Sequence, residues 1–209
     1  GVVALACGVT LAAGWTRDAP ALLWGAVALL WIVSGAVALR AGPAGWPRLP
    51  RALRWALGAL AQWAAWLAIA QARLVGLNFV LSVFCLVWIA DIAAYFGGRR
   101  FGRRKLAPSI SPGKSWEGVY SGVAGVLLLA LAWLWLDRRF ALAPSLYGEL
   151  VAAGGVPALL LGCAVLAAMS VVGDLVESLV KRAVGAKDSS ALLPGHGGVL
   201  DRIDALLPV

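Results

Sequence analysis

The chain has 209 residues, of which 62% are hydrophobic and only 13% are charged, and its mean hydropathy is +0.87. Soluble proteins carry about 25% charged residues, so this composition excludes a soluble domain and a DNA-binding module with basic residues on polar faces. The net charge of +8 is concentrated between long uncharged stretches, where it suits anionic lipid or a phosphorylated substrate. We therefore expect an integral membrane protein that does not bind nucleic acid.

Six apolar stretches follow one another along the chain, and about 20 apolar residues are enough to cross the hydrocarbon core of a membrane. They predict an all-α, polytopic transmembrane helix bundle with at least six spans. The first stretch is short, and the last five residues turn apolar again, so we expect a fragment in which the number of helices is a lower bound. The stretches are residues 1–15, 19–39, 52–72, 76–96, 118–136 and 155–173.

Alternation of these spans sorts the connecting segments into two groups with unequal charge. One group, residues 40–54, 97–117 and 181–209, contains 14 of the 18 Lys and Arg residues. Cytoplasmic segments of membrane proteins carry an excess of such residues. We therefore expect this group to face the cytoplasm.

Small residues recur four apart on the stretch that follows the second basic segment. Gly118 and Gly122 form one such pair, and Ser121 and Gly125 form another. Small residues at this spacing let helix backbones approach closely. The pattern predicts tight packing within the bundle, and it also allows a homodimer.

Three acidic residues, Asp91, Asp174 and Glu177, lie in or at the edge of predicted spans. Inserting a charged side chain at the centre of a membrane costs roughly 2.5–3.5 kcal/mol. Each is a candidate site residue. Asp91 has a second interpretation, a carboxylate that reaches the interface or pairs with Arg99. A solvated helix end explains Glu177 and Lys181 well, but it explains Asp174 less well, because an uncharged stretch precedes that residue.

The densest chemistry lies in residues 187–204, where aspartates alternate with cations and glycines. Carboxylates suit Mg²⁺, which prefers hard oxygen ligands. Glycines let backbone N–H groups approach an anion, and Lys and Arg bind phosphoryl oxygens. The stretch therefore predicts a metal-nucleotide site. His196 within it has two interpretations, a structural hydrogen-bonding residue or a general base.

A second basic segment contains Gly113-Lys114-Ser115, which looks like the end of a P-loop. The glycine required five positions before Gly113 is Pro108, and no strand is predicted before it, so this is not a Walker A motif. We interpret residues 109–118 as a rigid, basic lip that leads into the next span.

The longest motif runs from Ser178 to Asp204. It reads Ser178-Leu-Val-Lys181-Arg182-x4-Lys187-Asp188-x6-Gly195-His196-Gly197-Gly198-x2-Asp201-Arg202-Ile203-Asp204. It resembles the signature of the phosphatidate cytidylyltransferases, also called CDP-diacylglycerol synthases. Three further elements agree with that family: Asp91-x3-Tyr95, the segment from Ile110 to Gly118, and Gly173-Asp174-Leu175.

The resemblance implies the reaction of CTP with phosphatidate to give CDP-diacylglycerol and pyrophosphate, with Mg²⁺ required and a second cation left open. The substrates would meet in a polar cavity on the cytoplasmic side of a bacterial inner membrane. Residues 1–90 would supply N-terminal transmembrane helices, and residues 91–209 the catalytic transmembrane region. The resemblance also implies that the family's N-terminal helix or helices and its last span lie outside this sequence.

The resemblance also implies roles for individual residues. The cation would be held by Asp174 and Asp201, with Asp204 and Asp188. The catalytic set would be Asp174, Lys181, Arg182, Lys187, Asp188, Asp201, Arg202 and Asp204. The substrate-binding set would be Asp91, Ser111, Lys114, Ser178, Gly195, His196, Gly197 and Gly198.

Two other functions remain as alternatives. A related CTP-dependent membrane enzyme, such as a polyprenol or phytol kinase or an archaeal-type lipid cytidylyltransferase, would handle phosphate similarly. An ion-coupled transporter would use Asp91 and Asp174 to bind the coupling ion. The transporter predicts interrupted helices paired in two halves, a pattern that the sequence does not show.

Overall fold

The fold is given by a computed structural model that describes residues 1–190, 198 and 200–209, apart from the side chain of Arg202. In this part of the chain a helix forms in each of the six predicted stretches, and the strands make one small antiparallel hairpin. The predicted all-α class is confirmed. The elements are α1 (Val2–Ala12), α2 (Ala21–Gly45), α3 (Arg51–Val75), α4 (Leu77–Phe101), β1 (Lys105–Ala107), β2 (Ser111–Ser115), α5 (Trp116–Phe140), α6 (Leu146–Ala183) and α7 (Leu200–Ile203).

Among the described residues, four helices are long and apolar enough to cross a membrane. They are α2 with the short 3-10 turn that follows it (Ala21–Arg48), α4, α5 and α6. Helix α1 is apolar but only 11 residues long, and α3 is less apolar because Gln62 and Gln71 interrupt it. The protein is a polytopic integral membrane protein.

Glycine and proline bend two of the helices. Helix α2 contains Gly42 at φ 66° followed by Pro43, and α6 contains Gly155 at φ 68°, two residues before Pro157. L side chains rarely adopt a positive φ, and proline removes a backbone donor. The predicted start of the last full span at Gly155 agrees with this bend, because α6 consists of two helical segments joined at Gly154 and Gly155, and the second continues to Ala183.

Packing divides the chain into two compact units, residues 1–74 with 172–208 and residues 75–171 with Val209. We call them the site unit and the hairpin unit. The division predicted at residue 90 is a functional one, between N-terminal membrane helices and a catalytic region. Packing does not test that division, which stays a prediction.

In the hairpin unit, α4 and α5 pack closely because small residues line their contact. A Cβ atom at Gly118 would lie 2.9 Å from the Ala94 carbonyl oxygen, and one at Gly122 would lie 2.9 Å from the Ala90 carbonyl oxygen. These separations are below ordinary van der Waals contact, so the helices could not approach as they do with larger residues. The predicted packing role of the small residues is confirmed.

We expect Gly122→Val to destabilise the protein, because its side chain would overlap the α4 backbone at Ala90. Overpacking of this kind costs about 1–3 kcal/mol. The melting temperature in detergent, followed by tryptophan fluorescence, measures the effect. Gly25→Val is the matched control, since nothing lies within 4 Å of a Cβ atom at that helical position. Equal melting temperatures for the two variants would contradict the prediction.

A polar network ties together the ends of α4, α5 and α6 at one side of the hairpin unit. Asn78 Nδ2 donates to Asp137 Oδ1 at 2.9 Å and to the Ala143 carbonyl oxygen at 2.6 Å. Trp133 Nε1 donates to Asn78 Oδ1 at 3.1 Å, and Ser145 Oγ donates to Asp137 Oδ2. Partly buried polar groups that satisfy one another in this way fix a unique packing arrangement.

In the site unit, α2, α3 and the C-terminal part of α6 provide the core. Leu67 and Leu179 are fully buried, and a Cβ atom at Gly35 would lie 3.0 Å from Val172 Cγ1. The Gln71 side-chain amide donates to the Trp15 carbonyl oxygen at 2.8 Å. This core holds in place the last two turns of α6, which carry the predicted site residues Ser178, Lys181 and Arg182.

Candidate active site

The last turns of α6 carry a row of polar residues on one face. Asp174, Glu177, Ser178 and Lys181 are separated by three or four positions, and residues at that spacing lie together on a helix. Ser178 Oγ donates to Asp174 Oδ1 at 3.2 Å. Residues 155–173, which precede this row, carry no charge and suit a membrane span. The row therefore lies at the end of the span, next to the basic segment that follows α6.

Gly173 allows the end of the described chain to approach this face. A Cβ atom at Gly173 would lie 2.5 Å from the Asp204 carbonyl oxygen and 2.9 Å from Pro208 Cδ. Any larger residue would push residues 204–208 away from α6. The glycine before Asp174 is therefore a packing requirement of the site.

Lys181 links α6 to the segment that contains Asp201. Its Nζ donates to Asp201 Oδ1 at 2.6 Å and also pairs with Glu177 Oε2. The exposed fractions of these side chains are small, 17% for Lys181, 10% for Asp201 and 7% for Glu177. Two carboxylates therefore surround one ammonium group, and the three side chains together carry a formal charge of −1.

Asp201 organises the backbone that precedes it. Its Oδ2 accepts hydrogen bonds from Ser189 N at 2.9 Å, Ser189 Oγ at 2.8 Å and Gly198 N at 2.6 Å. Burial alone favours the neutral acid, but the hydrogen bonds from Lys181, Gly198 and Ser189 outweigh it and hold the pKa of Asp201 well below its ordinary value. Asp201 is therefore a fixed negative charge at the centre of the site.

Gly198 permits this arrangement by its size. A Cβ atom at Gly198 would lie 2.1 Å from Ser189 Oγ and 2.7 Å from Ser190 Oγ. The glycine thus lets its backbone N–H reach Asp201 while Ser189 donates from the other side. Gly195, His196 and Gly197, predicted to bind substrate, lie outside the described residues, so their predicted role stays a prediction.

The interpretation of Glu177 as part of a solvated helix end is wrong. Glu177 is buried, because the segment around Asp201 covers this face of α6. Its Oε1 accepts no hydrogen bond from any residue in the described part of the chain. A buried carboxylate oxygen of this kind has capacity for one further donor or cation.

The remaining predicted residues of the site unit lie around this centre. Arg182 is exposed and donates to the Ala186 carbonyl oxygen at 3.5 Å. Lys187 and Asp188 are exposed. Asp204 Oδ1 accepts a hydrogen bond from Ala205 N at 2.8 Å, and the side chain of Arg202 lies outside what the structure describes. The structure therefore brings Lys181 and Asp201 together with two residues outside the predicted catalytic and substrate-binding sets, Ser189 and the candidate Glu177.

Little in the sequence indicated that Ser189 and Glu177 belong to the site. Ser189 lies twelve residues before Asp201, and a polar Lys-Asp-Ser-Ser run is equally typical of an exposed loop. Glu177 lies four residues before Lys181, a spacing that an exposed helix surface shares. Only the covering of α6 by a later segment distinguishes these residues from a solvated surface.

The other predicted substrate-binding residues, Asp91, Ser111 and Lys114, belong to the hairpin unit. Asp91 is exposed on α4, one turn before Tyr95, whose hydroxyl accepts from Arg99 at 3.5 Å. Ser111 and Lys114 lie on β2, which pairs with β1 in the register Lys105 with Ser115 and Ala107 with Ser111. The predicted basic lip is therefore a β-hairpin.

Glu117 fixes this hairpin to the start of α5. Its Oε2 accepts from the backbone N–H groups of Arg103 and Arg104, each at 3.1 Å, and its Oε1 accepts from Arg104 Nε at 3.2 Å. Ser115 Oγ caps the helix by accepting from Gly118 N at 3.2 Å. The position of Lys114 is thus set by hydrogen bonds on both sides of it.

The donor set of the site unit suits a hard divalent cation. Asp174, Glu177, Asp201 and Asp204 offer carboxylate oxygens, and the buried Oε1 of Glu177 accepts no hydrogen bond from the described residues. Across the described ranges, no three His, Cys, Asp or Glu side chains are grouped closely enough to hold a metal. Mg²⁺ usually takes one or two protein carboxylates together with substrate phosphates, so these residues fit such an ion.

Known proteins resemble part of this chain. A protein of Haemophilus influenzae named phosphatidate cytidylyltransferase is 52% identical over 131 residues, which cover 63% of this chain and 42% of that protein. Proteins of the same name from Pseudomonas aeruginosa and Staphylococcus epidermidis are 50% and 38% identical, over 43% and 48% of their lengths. The chain thus spans less than half the length of these curated relatives.

A family model gives the broader assignment. The model of the Cytidylyltransferase family matches residues 1–209. This match includes the α6 face and the segment around Asp201 as well as the hairpin and the N-terminal helices. Because the match extends over the whole chain, this protein belongs to the Cytidylyltransferase family.

Proposed function

We propose that the full-length protein is a phosphatidate cytidylyltransferase, which converts CTP and phosphatidate into CDP-diacylglycerol and pyrophosphate. The observation that carries the proposal is Lys181 held between Glu177 and Asp201, beside a glycine whose backbone N–H points at the same carboxylate. A cation, carboxylates and backbone donors in one place are the groups that nucleotidyl transfer needs. The name shared by its relatives supports the same reaction.

The chemistry of the reaction explains why charge matters more than proton transfer. The attacking group is a phosphatidate oxygen, which is already ionised at neutral pH, so little general-base catalysis is needed. Two polyanions must instead be held together for in-line attack at the α-phosphorus of CTP. Catalysis then comes from positioning and from neutralising the phosphoryl oxygens.

Within the site unit, each charged residue has a role in this scheme. One or two carboxylates from the predicted set Asp174, Asp201, Asp204 and Asp188 would hold Mg²⁺ together with substrate phosphate, and the ion would supply charge stabilisation at the phosphoryl oxygens when bound. Ser178 orients Asp174 through its hydrogen bond. The cations that would bind the triphosphate and the phosphatidate head group are Lys181, Arg182, Lys187 and Arg202.

The backbone around Gly198 completes the phosphate site in this proposal. Gly195, His196 and Gly197 would approach phosphate through their N–H groups, as glycine-rich segments do in other phosphate sites, and Gly198, whose N–H donates to Asp201, would leave room for the phosphate by its lack of a side chain. From the hairpin unit, Lys114 and Ser111 would contact the substrates, with Asp91 in a supporting polar role. Residues 91–209 would together form the catalytic region.

The reaction also fits a position at the cytoplasmic interface. One substrate is anchored in lipid and the other arrives from water, so a polar cavity must open toward both. The segments that carry 14 of the 18 basic residues would face the cytoplasm of a bacterial cell at its inner membrane. Cytoplasmic CTP and membrane phosphatidate would both reach that side.

Transfer of label from [α-³²P]CTP into chloroform-extractable lipid tests the proposal. The full-length protein in mixed micelles should label the lipid only when phosphatidate and Mg²⁺ are both present. Label that appears from [γ-³²P]CTP on a polyprenol, and none from the α-labelled nucleotide on phosphatidate, would replace the proposal with a lipid kinase. A folded protein that labels no lipid from either nucleotide would also refute it.

We expect Glu177→Gln to lower kcat by about 10- to 100-fold, as loss of a residue that orients a site group does. Gln retains the shape of Glu177 but not the charge that pairs with Lys181, so the ammonium group is less firmly positioned. Initial rates at saturating CTP and phosphatidate measure the effect. Glu149→Gln, an exposed change on the same helix, should leave kcat unaltered, and equal kcat values for both variants would exclude a positioning role for Glu177.

A further inference from the structure

The hairpin unit carries a dense group of cations where α4 ends and the chain leads into β1. Five of these side chains are exposed, those of Arg99, Arg100, Arg103, Arg104 and Lys105. Residues 97–117 contain six Lys and Arg residues and one carboxylate, that of Glu117, which accepts from Arg104 Nε at 3.2 Å. The segment therefore keeps a large positive charge that its own acidic residue does not neutralise.

Exposed aromatic rings lie directly beside these cations. Phe101 is 60% exposed, and Arg100 Cζ lies 5.4 Å from the centroid of its ring. Tyr120 is 55% exposed, and Arg104 Cζ lies 5.9 Å from the centroid of its ring. Trp116 is also exposed, one turn before Tyr120, with 6.2 Å between the two ring centroids. We call Arg100, Phe101, Arg104, Trp116 and Tyr120 the cation–aromatic band.

The two helices that carry the cation–aromatic band place it at a membrane surface. Helices α4 and α5 are each long and apolar enough to cross a membrane, and the band lies where α4 ends and α5 begins. Tryptophan and tyrosine are enriched at the boundary between hydrocarbon and water. At that depth the rings contact acyl chains, and arginine side chains reach the phosphates of lipid head groups. The band thus offers, in one place, the two kinds of group that contact a phospholipid.

The other end of α5 has a similar arginine–ring pair without the excess of charge. Arg139 Cζ lies 5.5 Å from the centroid of the Phe140 ring, about 36 Å along the helix from Trp116. Two arginines, Arg138 and Arg139, are accompanied there by two carboxylates, those of Asp137 and Glu149. The cation–aromatic band therefore differs from this end by its uncompensated positive charge.

We propose that the cation–aromatic band binds an anionic phosphodiester lipid of the surrounding membrane, with the phosphate against Arg100 or Arg104 and an acyl chain along the adjoining ring. Each arginine–ring pair presents one guanidinium group, which matches the single charge of a phosphodiester. This lipid is not the phosphatidate of the proposed reaction, which is assigned to the cations of the site unit. The proposal uses only the charges and rings of the hairpin unit, so it does not depend on the proposed function.

Photolabelling of the full-length protein in detergent tests this proposal. The probe is phosphatidylglycerol with a diazirine in one acyl chain, and labelled peptides are identified by mass spectrometry. We expect label on the peptides that contain Phe101 and Tyr120, with competition by unlabelled phosphatidylglycerol but not by phosphatidylcholine. Each Lys or Arg near a membrane surface contributes a factor of about five to the binding of anionic lipid, so Arg100→Gln combined with Arg104→Gln should reduce this labelling at least about fivefold.

A second pair of changes separates the loss of lipid binding from distortion of the hairpin. Arg104 also pairs with Glu117, so its removal loosens the attachment of the hairpin to α5. Arg100→Gln combined with Arg103→Gln removes two charges and retains that pair, because Glu117 accepts from the backbone of Arg103 and not from its side chain. This variant should keep the parental melting temperature and lose labelling by a similar factor.

The matched control lies at the other end of α5. Arg138→Gln combined with Arg139→Gln makes the same chemical change at exposed positions and should leave labelling of the cation–aromatic band unchanged. Equal competition by phosphatidylglycerol and phosphatidylcholine overturns the proposal, as does labelling that both band variants retain or that the control variant reduces equally. Label that phosphatidate displaces and phosphatidylglycerol does not would assign the band to the substrate of the reaction, and it also overturns the proposal.

Discussion

Asp201→Asn is expected to reduce CDP-diacylglycerol synthesis about 10²- to 10³-fold, the range seen when a group that stabilises transition-state charge is removed. Asp201 accepts hydrogen bonds from Lys181, Ser189 and Gly198, and its pKa is held low, so it is ionised at any working pH. Asparagine has the same shape but no charge, and its amide nitrogen cannot accept a hydrogen bond. The variant therefore loses both the charge for Mg²⁺ and an anchor of the preceding loop.

Two measurements separate these consequences of Asp201→Asn. Binding of Mn²⁺, followed by electron paramagnetic resonance without substrates, should weaken if Asp201 holds the cation. The melting temperature reports the loss of the loop anchor. Asp18→Asn makes the same chemical change at an exposed position and should leave rate, Mn²⁺ affinity and melting temperature unchanged. Activity within about threefold of the parent protein would remove Asp201 from the proposed site.

Lys181→Met is expected to reduce synthesis by a similar factor of about 10²- to 10³-fold. It also leaves the carboxylates of Glu177 and Asp201 without the ammonium group that lies between them. Removing one partner of a largely buried ion pair destabilises a protein by about 3–5 kcal/mol. We therefore expect loss of both activity and thermal stability, measured by the lipid-labelling assay and by the melting temperature in detergent.

A double variant distinguishes the catalytic role of Lys181 from its structural one. Lys181→Met combined with Glu177→Gln removes one negative charge together with the positive one, so the melting temperature should largely recover. Activity should not recover, because no ammonium group is present to neutralise phosphate. Recovery of both would mean that Lys181 serves only to compensate the two carboxylates.

The membrane helices could be predicted from the sequence because their signal is local. Long apolar stretches have one stable arrangement in lipid, a helix that satisfies its own backbone, and the glycines at positions 118 and 122 indicated close packing by their spacing alone. Gly155 shows what such local patterns leave open. Glycine and proline are typical of helix starts and of bends alike, and only the structure shows that a further helical segment, from Leu146, precedes the predicted span.

The residue types of the candidate site could be predicted from the sequence, whereas the hydrogen bonds between its distant residues could not. Residue types and their spacing along α6 brought Asp174, Ser178 and Lys181 together, because a helix repeats every 3.6 residues. The contacts of Asp201 with Lys181 and Ser189 join positions that no local period relates. The hairpin that carries Lys114 was likewise not predicted, since it depends on Glu117 accepting from the backbone of Arg103 and Arg104.

The sequence by itself determined that this is a helical membrane protein, and it predicted a phosphate-binding segment, because composition and helical spacing are properties of neighbouring residues. The tertiary structure decided that Glu177 is buried rather than solvated, and that Asp201 contacts Lys181 and Ser189. The burial of a side chain depends on which later segment of the chain covers it. Burial in turn sets how strongly each charge in the site interacts with its neighbours. That information is present only when residues distant in the chain are packed together.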